Sequence, residues 1–334
     1  MKRIITISIL GLLLLSACTK NRFLSTERIA PISLTANFGA AATKATITDD
    51  NITSETIRVQ VAKSNGTESY AVEGSKYTLA HGGVNWALSN MLYLSAENAK
   101  IYAYAPTPAD PTTVETDSYN TLKRRLDIPA TQQMANQVDF LWCYQDKTVA
   151  GGAIDINSTN PNVSLTMKHA LSQIAFVIYG ENYNGTGAIN SVKVKDITAT
   201  PALRKMKNAA NDLYMNVADG NITGGETTTE ISATSIAGSI LTTQPSADIA
   251  ELKSKVNAYL LIVPTSVANK NNVQFTFNID NKEYNVSLTG GGAITWVAGQ
   301  QYIYTVKLSG TQMNIISVTV TPWSSSHEGE VVIY

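Results

Sequence analysis

Apolar and polar side chains alternate with a period of two in many segments of this chain. In residues 32–38, Ile32, Leu34, Ala36 and Phe38 share one face and polar residues occupy the other. The same pattern recurs in later segments, at residues 57–62, 163–167, 273–279, 284–288 and 302–309. Because successive side chains of a β-strand point to opposite faces, the pattern predicts strands with one face in a core. One-sided alternation is typical of antiparallel sheets.

Turn-forming residues separate the predicted strands, and helical periodicity is scarce. The tripeptide Asp280-Asn281-Lys282 is a hairpin-turn sequence between two strands. Short helices are predicted only for residues 247–256 and 131–138, and no β-α-β alternation is present. Many short strands in 334 residues predict an all-β protein with two β-sandwiches in series and a boundary within residues 160–180.

The N-terminal segment has the features of a bacterial lipoprotein signal. Lys2 and Arg3 precede an apolar run at residues 4–15, and the sequence Leu15-Ser16-Ala17-Cys18 follows. The run is too short to span a membrane, which predicts a signal peptide at residues 1–17. We expect Cys18 to carry acyl chains after cleavage, and more than one chain is needed for stable anchoring. An ordinary secreted protein with a coincidental Cys18 is the alternative.

Charge and cysteine content narrow the function classes further. Charged residues make up only 15% of the chain and the formal net charge is −1, without the basic patch that nucleic-acid binding requires. Once Cys18 is acylated, Cys143 is the one remaining thiol, so no intrachain disulfide can form. Cys143 lies within an apolar segment, which predicts a buried structural thiol rather than a nucleophile.

No constellation of catalytic or metal-binding residues is visible. His81 lies in His81-Gly82-Gly83, but no G-x-S-x-G nucleophile elbow accompanies it, so a turn is the better interpretation. His169 follows a predicted strand and His327 lies in a polar loop. Zinc, calcium and phosphate-binding motifs are lacking. The sequence therefore predicts no cofactor, no metal and no catalytic residue.

Several segments together resemble the fimbrillins, the subunits of type V pili in Bacteroidetes, and the related fimbrillin-like lipoproteins. The resemblance rests on the lipobox ending at Cys18, on residues 163–176 and on the C-terminal segment that starts at Trp296. It implies two transthyretin-like Greek-key β-sandwiches in tandem. With the signal peptide these give four regions: residues 1–17, an N-terminal pro-segment at 18–44, and sandwiches at 45–168 and 169–334.

The resemblance also implies a structural function in adhesion, without catalysis. A lipidated precursor reaches the outer membrane, and a trypsin-like protease removes an N-terminal strand. The vacated groove then accepts a strand from another pilin subunit, so that a fimbrium grows on the cell surface. Applied to this chain, Ile32, Leu34, Ala36 and Phe38 are expected to fill the groove of the precursor.

Two segments within residues 315–334 are candidates for the donor strand. The alternating residues of the first are Ile316, Val318 and Val320, and the second, shorter segment contains Val331, Val332, Ile333 and Tyr334. A β-branched end of the chain is suited to pair with a neighbouring subunit. Alternatively, both segments complete the C-terminal sandwich of their own chain.

Lys44 is the predicted processing site, with Arg28 as a second candidate. Cutting at Arg28 leaves residues 32–38 attached, whereas Lys44 lies beyond that strand in an Ala-rich segment that a protease can reach.

Two other functions remain alternatives. The first is a non-polymerising surface lipoprotein that binds glycans or host proteins, with Trp86, Tyr93, Tyr102 and Tyr104 as a sugar platform. The second is a polysaccharide hydrolase.

Overall fold

The computed structural model describes residues 28–37, 52–65, 68, 70, 77–107, 122–149, 151–205 and 212–323. Cys18, Phe38, Lys44 and residues 331–334 lie outside these ranges, so the predictions for them stay predictions. Within the described residues the chain consists mainly of β-strands, and the all-β class is confirmed. The tandem arrangement of two transthyretin-like sandwiches stays a prediction.

The strands are numbered in chain order. Strands β1–β14 span Ala30–Pro31, Ser33–Asn37, Thr56–Lys63, Tyr77–His81, Trp86–Leu88, Tyr93–Leu94, Ala99–Ala105, Lys123–Leu126, Thr131–Gln133, Leu141–Gln145, Lys147–Thr148, Ile154–Asp155, Asn162–Thr166 and Lys168–His169. Strands β15–β28 span Ser172–Glu181, Ile189–Asp196, Leu203–Lys205, Leu213–Asn216, Ile222–Gly224, Glu226–Thr228, Glu230–Thr234, Ala258–Ile262, Thr265–Val267, Val273–Ile279, Lys282–Ser287, Ile294–Trp296, Gln300–Ser309 and Gln312–Pro322.

Three larger sheets form the framework. Strand orders are β14-β10-β7-β3-β4-β5 in the first-half sheet, and β22-β15-β27-β28 and β25-β24-β16-β21-β9 in the two second-half sheets, the last of which includes β9 from the first half of the chain. The two sheets of the second half enclose one apolar core, which includes Phe176, Phe275, Phe277 and Tyr304. A first-half core packs on the six-stranded sheet and includes Ile57, Val59 and Leu79. Alternating apolar residues therefore line both cores, as the period-two pattern predicts.

A third apolar cluster, here called the junction core, joins residues from both halves of the chain. It contains Tyr102, Tyr104 and Phe140 from the first half together with Tyr259 and Ile303 from the second. Strand β8 pairs with β18, and β9 runs parallel to β21. The segment from β8 to β9 therefore packs with strands that lie beyond the predicted boundary at residues 168–169, and that boundary stays a prediction.

The two predicted short helices have different outcomes. Helix α1 spans Ile249–Lys255, and the Asp248 side chain caps it by accepting a hydrogen bond from the Glu251 N–H. The helix predicted at residues 131–138 is wrong, because β9 and a 3-10 turn, Met134–Asn136, occupy that segment. Its Gln132 side chain donates to the Leu261 carbonyl at 2.6 Å and accepts from the Leu261 N–H at 3.1 Å.

The predicted turn at residues 280–282 forms the hairpin between β24 and β25. Asp280 and Asn281 both have positive φ, 49° and 64°, as a tight two-residue hairpin requires. The Asp280 carboxylate accepts hydrogen bonds from the Tyr183 hydroxyl at 2.7 Å, from the Thr186 hydroxyl, and from the N–H groups of residues 187 and 188 at 2.9 Å each. These bonds, led by those from Thr186 and Tyr183, hold the pKa of Asp280 well below its usual value. The Asp280 side chain thus connects the hairpin to the loop after β15 through hydrogen bonds.

We expect Asp280→Asn to lower the melting temperature near pH 7 while leaving the turn intact, because Asn also tolerates positive φ. The folded state lowers the pKa of this carboxyl, so its stabilisation is present above the unfolded value, near 4, and is lost as the pH falls below it. The melting-temperature difference between wild type and variant should therefore shrink in acid. A difference that stays constant between pH 7 and pH 3 would contradict this assignment.

Candidate functional site

The N-terminal strand of the described chain is held by two different ladders. Its first part, β1, pairs antiparallel with β6, and the Ile32 N–H donates to the Leu92 carbonyl at 2.9 Å. Its second part, β2, pairs parallel with β13 from Ser33 opposite Asn162 to Asn37 opposite Thr166. The strand predicted at residues 32–38 is therefore confirmed at Ser33–Asn37, and a separate short strand precedes it.

The apolar face of this strand fills a place in the first-half core. Ile32, Leu34 and Ala36 are 9%, 3% and 7% exposed and belong to that core, whereas Ser33 and Thr35 point outward. Burying an Ile or Leu side chain stabilises a fold by about 1.5–3 kcal/mol. The strand thus contributes to the core through its side chains and to the sheets through its backbone.

The end of β2 is fixed by further polar contacts to β13. The Asn37 side-chain amide donates to the Ser164 hydroxyl at 2.6 Å, and the Met167 N–H donates to the Asn37 carbonyl at 2.8 Å. Thr166 donates a longer hydrogen bond, 3.4 Å, to the Asn37 side chain. These contacts set the register of β2 against β13.

Clefts flank β2 on both sides. One, of about 270 Å³, lies between residues 31–34 and residues 86–92. The other, of about 310 Å³, lies beside the outward-facing Ser33 and Thr35, with Val149 and Val163 among its walls. Among the described strands β2 forms a ladder with β13 alone, so its opposite edge faces the first cleft. The strand therefore lies in a groove that it does not fill completely.

Arg28 lies just before this strand and is exposed. A cut after Arg28 leaves both ladders and all three buried side chains in place. Lys44, Phe38 and Cys18 lie outside the described residues, so their roles as cut site, groove-filling residue and lipidation site stay predictions.

The first donor candidate forms part of its own sheet. Ile316, Val318 and Val320 lie in β28, which pairs antiparallel with β27 from Gln300 opposite Pro322 to Ser309 opposite Gln312. Ile316 is 44% exposed, and Val318 and Val320 are half-buried. This pairing favours the alternative in which these three residues complete their own sandwich. The other candidates, Val331, Val332, Ile333 and Tyr334, lie outside the described residues.

A polar and aromatic cluster at the end of β28 was not apparent from the sequence. The His169 ring bonds the Asp139 carboxylate through Nδ1 at 2.8 Å and stacks on Trp323 with centroids 4.2 Å apart. The backbone N–H of Trp323 also donates to the Gly299 carbonyl at 2.7 Å. These residues are distant in sequence, so no local motif could reveal the cluster. It fixes the position at which the chain leaves β28.

Burial of side chains in the structure bears on two other predictions, the buried Cys143 thiol and the aromatic sugar platform. Cys143 is 3% exposed, and burial raises the pKa of its thiol to about 11, so the prediction of a buried structural thiol is confirmed. The predicted sugar platform is wrong for Tyr102 and Tyr104, which are 1% and 0% exposed in the junction core. Of its other members, Tyr93 is exposed and Trp86 is half-buried.

No group of three or more His, Cys, Asp or Glu side chains in the described ranges is arranged for a metal ion. Among the helices of that part of the chain, none has the length and apolar character needed to cross a bilayer.

Comparison with known protein families shows to which family the chain belongs. A model described as fimbrillin-like matches residues 43–323. The chain belongs to the fimbrillin-like family. No protein of curated function matches it. This fimbrillin-like chain also resembles solved structures at low sequence identity, which supports the fold.

Three of these structures have a TM-score of 0.55. Candidate cell adhesion proteins from Bacteroides uniformis and Bacteroides ovatus are each 16% identical, and the alignments cover 89% of this chain and 100% and 99% of theirs. A fimbrial protein from Bacteroides vulgatus is 12% identical, with 88% of this chain and 99% of that chain covered.

Proposed function

We propose that this protein is a structural subunit of a type V pilus that serves adhesion. In this proposal the chain is exported as a lipoprotein anchored to the outer membrane through Cys18. A trypsin-like protease then removes an N-terminal strand, and subunits polymerise by donor-strand exchange. Membership of the fimbrillin-like family supports a fimbrial, non-catalytic role. Structural relatives described as fimbrial and cell adhesion proteins agree with it.

The observation that carries the proposal is the placement of the N-terminal strand. Its residues Ile32, Leu34 and Ala36 are buried in the first-half core, yet the covalent connection from this strand to the later strands runs through residues 38–51, before Ile52–Ser54 begins. A cut in that connection separates β1 and β2 from every later strand. Their loss exposes apolar walls and leaves β6 and β13 without partners, and an open strand edge is a template for β-augmentation.

The cut that releases the strand has to follow Asn37. Lys44 is the only Lys or Arg between Asn37 and Arg58, which lies within β3. Arg28 precedes β1 and cannot release it. A protease specific for basic residues therefore has one productive site in this segment, and the processed subunit begins at Ala45.

The segment 330–334 is the better donor candidate because β28 is already paired. The ladder between β2 and β13 takes five residues, Ser33–Asn37, with the second and fourth side chains buried. Residues 330–334 are also five in number, and their second and fourth side chains are Val331 and Ile333. In either strand direction these two residues take the inward positions of Leu34 and Ala36.

Lys44→Ala tests the proposal against the matched variant Arg28→Ala. After treatment with a trypsin-like protease, we expect Lys44→Ala to remain a monomer that keeps residues 28–37. Wild type and Arg28→Ala should form detergent-resistant ladders on gels. Equal ladders from Lys44→Ala and wild type would contradict the proposed processing site, and absence of ladders from all three proteins would contradict polymerisation.

A further inference from the structure

The loop that joins β15 to β16, residues 182–188, contains the dipeptide Asn184-Gly185. The backbone nitrogen of the residue after an asparagine can attack the amide carbon of its side chain and release ammonia. Glycine hinders this attack least, because it has no Cβ and its backbone is the most adaptable. Both Asn65 and Asn184 are followed by Gly-Thr. The chain therefore carries two sites that are chemically equal and differ only in their surroundings.

The fold requires glycine at position 185. A Cβ there would overlap the Asp280 carboxylate and would lie 2.5 Å from Cε1 of Tyr183. The Asp280 carboxylate is held in this place by four hydrogen bonds, one of them from the Tyr183 hydroxyl. The network that connects the β24–β25 hairpin to the loop thus depends on a glycine directly after Asn184.

The two asparagines differ in how their side chains are restrained, although both are exposed. The Asn65 side-chain oxygen accepts a hydrogen bond from the Glu68 N–H at 3.2 Å, which holds this side chain within its turn. In the part of the chain that the structure describes, neither the Asn184 side chain nor the Gly185 N–H makes a hydrogen bond. The attacking nitrogen and the amide carbon are both accessible at Asn184.

We propose that Asn184 is a site of spontaneous deamidation. The Gly185 nitrogen forms a bond to Cγ of Asn184, the Cγ–N bond of the amide breaks, and the proton lost by the Gly185 nitrogen leaves with the ammonia. Water then opens the resulting cyclic imide at either carbonyl, which gives an aspartate or an isoaspartate. The reaction consumes water alone, without an oxidant, a reductant or an enzyme, and it adds one negative charge to the loop.

Both products disturb the network around Asp280. A carboxylate at position 184 lies next to Gly185, which packs against Asp280, so two like charges are brought close together. Isoaspartate also lengthens the backbone by a methylene group between two fixed points, the Tyr183 hydroxyl and the Gly187 N–H, which both bind Asp280. We therefore expect the modified loop to hold the β24–β25 hairpin less firmly.

This inference goes beyond the proposed function, because the reaction needs neither processing nor polymerisation. The loop lies in the second half of the chain and is retained after a cut at Lys44. In a subunit that stays on the cell surface, the modified form accumulates with the age of the polymer.

The test uses the chain with Cys18→Ser, incubated in mildly alkaline buffer and analysed by peptide mapping with mass spectrometry. We expect the folded protein to lose the Asn184 amide about fivefold faster or more than the Asn65 amide, because a hydrogen bond restrains Asn65 and not Asn184. In guanidinium chloride the two rates should converge. Equal rates in the folded state, a faster reaction at Asn65, no product at Asn184, or a difference that persists in guanidinium chloride would overturn the proposal.

Thermal unfolding measures the consequence for the hairpin. Aged wild type should melt at a lower temperature than fresh wild type, whereas Asn184→Gln should keep its melting temperature, because the longer side chain has to close a less favoured ring. Asn65→Gln is the matched control and should age as wild type does. Both substitutions lie at exposed positions, so folding should be retained. An unchanged melting temperature in converted protein would overturn the weakened hairpin, and equal losses in Asn184→Gln and wild type would overturn Asn184 as its site.

Discussion

Leu34→Asp is expected to open the N-terminal groove without any proteolysis. Leu34 is 3% exposed in the first-half core, and an unpaired buried carboxylate costs about 3–5 kcal/mol. Each 1.4 kcal/mol is a factor of ten, so the population with β2 displaced should rise by about 100-fold or more. The displaced strand exposes the β13 edge, and the uncut chain becomes able to accept a donor.

The measurement is binding of a fluorescent synthetic peptide with the sequence of residues 324–334, followed by anisotropy. Thr35→Asp is the matched control, because it places the same charge on the exposed face of the same strand. We expect binding by Leu34→Asp and none above the wild-type level by Thr35→Asp. Equal binding by the two variants, or no binding by Leu34→Asp when proteolysis shows its strand to be displaced, would contradict the groove.

Ile333→Asp is expected to abolish polymerisation while leaving a folded monomer. In the proposed exchange Ile333 takes a buried position equivalent to Leu34 or Ala36, and the carboxylate there would be desolvated without a partner. The described cores, including the junction core to which Trp323 belongs, do not contain Ile333, so we expect the variant to remain a folded monomer, as circular dichroism can show.

Val332→Asp provides the control, because Val332 takes the outward position in the same segment. Detergent-resistant ladders should be lost in Ile333→Asp and retained in Val332→Asp after protease treatment. Normal ladders from Ile333→Asp would remove residues 330–334 from the donor role, and loss in both variants would contradict the assigned face.

The parts of the fold that follow from local sequence were predicted well. Alternation in residues 273–279 and 302–309 matches β24 and β27, and Asp280-Asn281 forms the expected turn because both residues tolerate positive φ. Asp248 gives α1 its cap, which is a local signal too. These features depend on neighbours within a few positions, which a sequence pattern records.

The parts that depend on distant pairing were not predictable. The alternation of residues 32–38 identifies a strand, but it does not reveal that β2 runs parallel to β13 or that the ladder changes partner at Ile32. Residues 131–138 fit a helical pattern, yet Gln132 bonds the backbone of Leu261 and the segment extends along β21. Tertiary contacts of this kind override local propensity.

The candidate site was predicted in outline only. The sequence indicates which residues alternate near each end of the chain, and the structure adds that Ile32, Leu34 and Ala36 are buried together. The sequence alone could not show which of the two donor candidates is already paired within its own sheet, as Ile316, Val318 and Val320 are in β28. Nor could it show His169 between Asp139 and Trp323, since those residues are far apart in the chain.

The most direct test of the account is the N-terminal residue of subunits within the polymer at the cell surface. N-terminal sequencing and intact mass should show a chain that begins at Ala45 and lacks both the acyl chains and residues 28–37. A polymerised subunit that begins at Cys18, or that retains residues 28–37, would contradict removal of the N-terminal strand as the step that licenses assembly.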